Sequence, residues 1–303
     1  MKIKSLKYFL FLFVLFGCNY GNFITKSVKE NDNFYNYYIF NRNENNSQNK
    51  KLLIFLDGSS LHSTLGIKGK IFPYKSFTFA YPLQKDLPSD FDVLVPERKN
   101  TNVGEDFSKN IKKLSEYTLA NRVNSAIITI DNYLDSTNYQ KIYILGYSEG
   151  GLILPKVYNS LKNKSKISKL IAISSGGYSY RQILKSYVQL GLFDSSYVDS
   201  ALSLLKRSPN SVSKYTFGNP NKKWKDFLDY SPMIEYYKIN IPILVLHGDK
   251  DINLPVESSR YLKGKFNAFG KTNLEYVEIT GADHSYNDDF DYILGIIVKW
   301  LNK

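Results

Sequence analysis

Cysteine is almost missing from this sequence. The 303-residue chain carries one, Cys18, so it can form no disulfide within itself and offers no cysteine cluster for zinc. Histidine is scarce as well: His62, His247 and His284 stand far apart, and no metal site is expected from them. Neither a G-x-x-x-x-G-K-[ST] loop nor a G-x-G-x-x-G turn occurs, so no nucleotide cofactor is expected. Arginine is short too. The net charge of +12 and pI near 9.3 would suit a nucleic-acid partner, but the only arginines are Arg42, Arg98, Arg122, Arg181, Arg207 and Arg260. Nucleic-acid recognition leans on arginine forks and concentrated basic stripes, whereas the lysines here are scattered, so no nucleic-acid partner is expected. Also lacking is an apolar run of the ~20 residues that a membrane-spanning helix needs. The run from Tyr8 to Phe16 is much shorter than that.

What is present centres on Lys141-Ile-Tyr-Ile-Leu-Gly-Tyr-Ser-Glu-Gly-Gly151. Ile142 to Leu145 is an apolar, β-branched run that predicts a buried strand. After Gly151, the residues Leu152, Ile153, Leu154 and Val157 predict a helix. Between them, Gly146-Tyr147-Ser148-Glu149-Gly150 matches G-x-S-x-G. A serine at the tip of so sharp a strand-to-helix turn needs small neighbours, because strand and helix must approach closely. The arrangement presents Ser148 as a nucleophile with the following amides aimed at whatever it attacks.

Along the rest of the chain, strands are predicted at Phe34–Phe40, Leu52–Leu56, Phe77–Ala80, Asp92–Val95, Lys169–Ser174, Ile241–Leu246 and Leu274–Ile279. Helices are predicted at Tyr117–Leu134, where apolar residues recur at helical spacing, and at Phe290–Leu301. This alternation predicts βαβ units and a mostly parallel sheet. No strand is predicted between Ser174 and Ile241, where Ile183–Leu192, Tyr197–Leu205 and Trp224–Tyr237 read as short helices. Such an insertion at the C-terminal edge of a parallel sheet lies over the ligand crevice, so residues 178–240 are expected to form a helical cap.

A serine nucleophile needs a base, and that base an orienting carboxylate. His284, in the loop Gly281-Ala-Asp-His-Ser-Tyr286 before the last helix, is the candidate base. His247 ends a strand and reads as a structural residue below the site, while His62 sits in a loop that faces either substrate or solvent. The carboxylate should follow a strand between Ser148 and His284, and His247-Gly-Asp-Lys-Asp251 offers both Asp249 and Asp251. Residue chemistry does not separate them. Arg98, in Pro96-Glu-Arg-Lys99, reads more readily as one half of a surface ion pair than as an arginine near the cleft.

The N-terminus has its own pattern. Met1 to Lys7 is basic, the short apolar run follows, and then comes Leu15-Phe-Gly-Cys18. This resembles the lipobox of bacterial lipoproteins, although Phe16 is bulkier than the usual occupant. The resemblance implies a signal peptide over 1–17, a lipidated Cys18 and a polar tether over 18–34, holding the protein at the bacterial cell envelope.

The order Ser, Asp, His, together with Ser231-Pro232, Ile241-Pro-Ile-Leu-Val-Leu-His-Gly-Asp-Lys-Asp251, Pro255 and Gly281-Ala-Asp-His284, resembles the α/β-hydrolases. The resemblance is to their prolyl oligopeptidase and serine aminopeptidase branch. It implies an α/β-hydrolase fold over residues 35–303, a serine hydrolase acting on a small ester or short peptide, and no cofactor. It implies Asp251 rather than Asp249 as the acid. It also implies an oxyanion hole made by the amides of Glu149 and Ser59, the latter from Asp57-Gly58-Ser59 where the family usually has His-Gly-x. Asp57 departs from that pattern. The alternative reading is a binding lipoprotein that keeps the fold without turnover; a filled triad argues against it.

Overall fold

The structure, a computed structural model, describes residues 23–40, 50–68, 74–75, 78–286 and 289–303. The leader and Cys18 lie outside them. Eight strands form one sheet: β1 (Ile24–Glu30), β2 (Asn33–Phe40), β3 (Lys51–Leu56), β4 (Phe91–Pro96), β5 (Lys141–Tyr147), β6 (Ile167–Ile173), β7 (Ile243–Gly248) and β8 (Leu274–Ile279). Their spatial order is β1-β2-β4-β3-β5-β6-β7-β8. β1 and β2 form an antiparallel hairpin and β2 runs antiparallel to β4. From β4 onward every pairing is parallel.

Parallel strands need crossovers, which put helices on both faces and bury both. That is why β3, β5 and β7 read as unbroken apolar runs in the sequence. Leu52, Ile54, Ile142, Ile144 and Val245 pack on one face beneath α3 (Leu119–Asp135), α4 (Glu149–Ser160) and α9 (Glu257–Ala268). Leu53, Phe55, Leu145 and Leu246 face the other way, under α1 (Ala80–Asp86) and α10 (Phe290–Leu301). A short helix, α2 (Ile111–Glu116), precedes α3. The Thr118 hydroxyl accepts the Asn121 amide and starts α3 at Leu119 rather than at Tyr117.

Three expectations are corrected. Part of the stretch read as tether, Ile24–Glu30, is an exposed edge strand whose polar side chains suit its solvent face. Thr78 to Ala80 is no strand: Phe79 and Ala80 open α1, and Phe79 and Leu83 bury together on the sheet. Trp224–Tyr237 is two helices, α7 (Asn221–Phe227) and α8 (Pro232–Tyr237). Pro232 keeps Ser231 extended (φ −104°, ψ 103°), which separates them. Together with α5 (Tyr180–Gln189), α6 (Ser195–Arg207) and a two-residue ribbon of Tyr215–Thr216 with Asn219–Pro220, they form the insertion between β6 and β7.

Candidate active site

The turn after β5 is as tight as its sequence requires. Ser148 sits at φ 55° and ψ −120°, a left-handed conformation that costs a non-glycine residue energy and that the surrounding packing must hold. A methyl group on Gly150 would lie 2.0 Å from the carbonyl oxygen of Leu56, and one on Gly146 would lie 2.6 Å from that of Gly150. Both positions therefore need glycine. α4 begins at Glu149, so the positive end of the helix dipole and its unpaired first amides face the serine.

The hydroxyl of Ser148 and Nε2 of His284 are 3.0 Å apart, and Nδ1 of His284 is 2.7 Å from Oδ2 of Asp251. A carboxylate only accepts, so Nδ1 carries the hydrogen and Nε2 of the neutral ring accepts from the serine. The second oxygen of Asp251 accepts the amides of Asn253 and Leu254 at 2.9 and 2.8 Å. Burial alone would push the Asp251 carboxyl up, but hydrogen bonds and charge from His247 and His284 hold it well below the usual carboxylate range. Asp249 instead accepts the Gly281 amide at 2.7 Å and tethers the base of the His284 loop. Geometry thus separates the two aspartates that residue chemistry left equal.

Two contacts around the triad were not anticipated by reading the chain. His247 does lie below the site, fully buried, but it touches Asp251: its Nε2 is 3.1 Å from Oδ2, and its Nδ1 is 2.6 Å from the Ser259 hydroxyl. Tyr286, also fully buried, accepts the Gly248 amide at 2.9 Å and a hydrogen bond from the Ser174 hydroxyl at 3.1 Å. It ties the His284 loop to the ends of β6 and β7. The four-residue spacing of His247 and Asp251 was the one available hint; nothing in the sequence pointed to Tyr286.

Arg98 is not on the surface. It is 6% exposed, and its Nη1 and Nη2 donate to the carbonyls of His62 and Gly58 at 2.8 and 3.1 Å. Burying a guanidinium is costly unless its donors and charge are met; the loop carbonyls meet one donor on each Nη, and Asp57 (3.8 Å) and Glu97 (3.6 Å) meet the charge, while Nε is buried without a hydrogen-bond partner among the described residues. Burial raises the Asp57 carboxyl to about 6, with Arg98 and Arg122 offsetting only part of that effect. Asp57 and His62 line one cavity together with Ser148, and the His62 Nδ1 is 3.1 Å from the Ser63 carbonyl.

Beneath the elbow lies a buried ionic cluster. The Glu149 carboxylate is fully buried, with Lys223 Nζ at 2.8 Å, Arg122 Nε at 3.2 Å and the Tyr117 hydroxyl donating at 2.8 Å. Burial would raise its pKa; the two cations and these hydrogen bonds outweigh that and hold it down to about 2. Lys223 belongs to α7, so the cap is bonded to the residue after Ser148. A buried lysine in a Lys-rich helix start, Asn221-Lys-Lys-Trp, carries no sequence mark of its partner.

Ser59, Ser148 and His284 line one cavity of about 560 Å³. Tyr180, Phe217 and Trp224 of the insertion form part of its wall. Tyr180 meets Trp224 edge-on at 4.9 Å, and Phe217 meets Trp224 edge-on at 5.8 Å.

No family model matches the chain. Esterase LipC of Mycobacterium tuberculosis is 33% identical over 61 residues, which is 20% of this chain and 15% of that protein's length. Among solved structures, Est1E from Butyrivibrio proteoclasticus superposes with a TM-score of 0.57 at 14% identity, over 91% of this chain and 97% of that one. An acylaminoacyl peptidase from Pyrococcus horikoshii gives 0.63 at 13% identity, over 93% of this chain and 41% of that one. An alpha/beta hydrolase fold protein from Chitinophaga pinensis gives 0.58 at 13%, covering 94% and 99%. The chain has the α/β-hydrolase fold.

Proposed function

We propose that this chain is an exported serine hydrolase that cleaves a small ester or a short peptide through an acyl-enzyme on Ser148. The observation that carries the reading is the unbroken hydrogen-bonded chain from the Ser148 hydroxyl through His284 to Asp251, at the wall of a cavity of about 560 Å³. His284 Nε2 takes the serine proton as Oγ bonds to the substrate carbonyl carbon. The carbonyl electron pair moves onto oxygen, which the amides of Glu149 and Ser59 receive. Collapse expels the alcohol or amine, protonated by His284. Water then repeats the sequence on the acyl-enzyme and regenerates Ser148. Asp251 keeps the imidazole in the required tautomer and stabilises its protonated form. The local likeness to Esterase LipC and the shared fold with Est1E and an acylaminoacyl peptidase support ester or amide chemistry.

The leader pattern around Cys18 supports attachment to the bacterial cell envelope through a lipid on that residue. Radiolabelled palmitate is expected in wild type and not in Cys18→Ser; equal incorporation overturns the anchor. For the chemistry, the test is a fluorophosphonate probe followed by mass spectrometry, then p-nitrophenyl esters compared with aminoacyl anilides. The label should sit on the Ser148 peptide and vanish in Ser148→Ala. Labelling elsewhere refutes the mechanism, and a folded protein that takes no label is a binding protein instead.

A further inference from the structure

We propose that Arg98 is a positioning residue for the Ser59 amide, setting the direction of one of the two donors to the oxyanion. The inference deepens the hydrolase reading and rests on it. A peptide unit is planar, and in the trans form its C=O and N–H point in opposite directions. No cis bond occurs among the described residues, so the carbonyl of Gly58 and the N–H of Ser59 are two ends of one rigid plate. Arg98 Nη2 donates to that carbonyl at 3.1 Å from inside the protein, with Arg122 Nη2 at 3.5 Å. Holding the carbonyl inward turns the Ser59 N–H outward, toward the cavity that Ser59 and Ser148 share. The plate lies against the elbow: a methyl group on Gly58 would be 3.3 Å from Ser148 Cβ and 3.3 Å from the Tyr147 ring.

The loop needs such a device. After β3 ends at Leu56, the chain from Asp57 to Ser63 joins no strand, and the single bridge between His62 and Asp106 satisfies the Leu61 carbonyl and the Ser63 amide, leaving the carbonyls of Gly58 and His62 to side chains. One guanidinium meets both ends, with Nη2 on Gly58 O and Nη1 on His62 O at 2.8 Å. Two donors in a fixed fork suit this task, whereas an ammonium is a single point charge. The fork is itself immobilised, lying 5.9 and 5.8 Å from the rings of Phe107 and Tyr117. A cationic donor on Gly58 O also polarises the amide it shares with Ser59 and strengthens that N–H as a donor.

The test compares wild type, Arg98→Met and Arg98→Lys in p-nitrophenyl acetate hydrolysis and in binding of two ligands. One is an aryl trifluoromethyl ketone: Ser148 Oγ bonds to its carbonyl carbon, the carbonyl pair becomes an oxyanion, and the serine proton passes to His284. The other is the matching secondary alcohol, which forms no oxyanion. Arg98→Met should lose on the order of 10²-fold in kcat and in ketone affinity, the cost of one oxyanion donor. KM and alcohol affinity should stay within about threefold, and Arg98→Lys should fall between. Ketone affinity unchanged in Arg98→Met, or alcohol affinity falling as far as ketone affinity, overturns the proposal. If Arg98→Met does not fold, the ketone-to-alcohol ratio in Arg98→Lys decides by the same criterion. A wild type that is neither labelled at Ser148 nor inhibited by the ketone overturns the hydrolase reading, and the proposal with it. A labelled wild type with an insensitive Arg98 variant overturns the proposal alone.

Discussion

Lys223→Met should expose how strongly the cap is bonded to the elbow. The substitution keeps most of the side-chain volume and removes the ammonium 2.8 Å from a carboxylate with no solvent exposure. Breaking a buried ion pair from one side costs about 3–5 kcal/mol, because the remaining charge stays desolvated. Glu149 retains Arg122 at 3.2 Å and the Tyr117 hydroxyl at 2.8 Å, which places the expected loss near the lower end, about 3 kcal/mol at neutral pH. The pH dependence follows from the same charge. In wild type the Glu149 carboxyl is held down to about 2 against an ordinary 4.5, so its stabilisation is complete above 4.5 and lost as pH falls through about 2. Without Lys223 that pKa rises, and protonation relieves the orphaned charge at a higher pH. The deficit relative to wild type should therefore shrink between pH 7 and pH 4. The assay is urea unfolding followed by fluorescence of Trp224 and Trp300, at both pH values. Adding Glu149→Gln should recover part of the loss, since it removes the charge left unpaired. A deficit under about 1 kcal/mol at pH 7, or one that does not change with pH, refutes the reasoning.

Three further outcomes are expected. Asp251→Asn should lower kcat on the order of 10⁴-fold, as for other triads, while Asp249→Asn should stay within about tenfold of wild type; steady-state kinetics on one ester checks both. Asp57, raised by burial to about 6 from 3.8, favours the folded state when protonated, a contribution present below about 3.8 and lost as pH rises through about 6. Asp57→Asn should therefore stabilise the protein by about 1–3 kcal/mol at pH 8 and little at pH 4 in urea titrations. Gly150→Ala should cost more than about 3 kcal/mol or prevent folding, because its methyl would meet the Leu56 carbonyl at 2.0 Å. Gly264→Ala, mid-helix with nothing within 4 Å, should gain about 0.5–1 kcal/mol, and melting curves separate the pair.

The sequence by itself determined the parts whose causes are local. Unbroken apolar runs mark strands buried on both faces, as at β3, β5 and β7, because a parallel sheet sandwiched by helices leaves no wet side to alternate with. The Gly-Tyr-Ser-Glu-Gly turn is legible because Gly146 answers a contact with Gly150 inside the turn itself; that Gly150 also answers the distant Leu56 carbonyl is a tertiary fact. Leu274–Ile279 and Phe290–Leu301 fell where their patterns placed them. The tertiary structure decided everything that depends on which distant carbonyl or charge comes within 3 Å. Asp251 and Asp249 are alike in one loop, and only the paths of β7 and the 281–286 loop put the first on His284 and the second on Gly281. The aromatic pattern around Phe79 reads as a strand because an aromatic residue serves a buried helix start equally well. Arg98 reads as half of a surface ion pair and Lys223 as one of many scattered lysines, since an ion is buried without a large cost only when partners 36 to 74 positions away converge on it. A sequence states the charge of each side chain; the fold alone sets its solvent and its counter-ion.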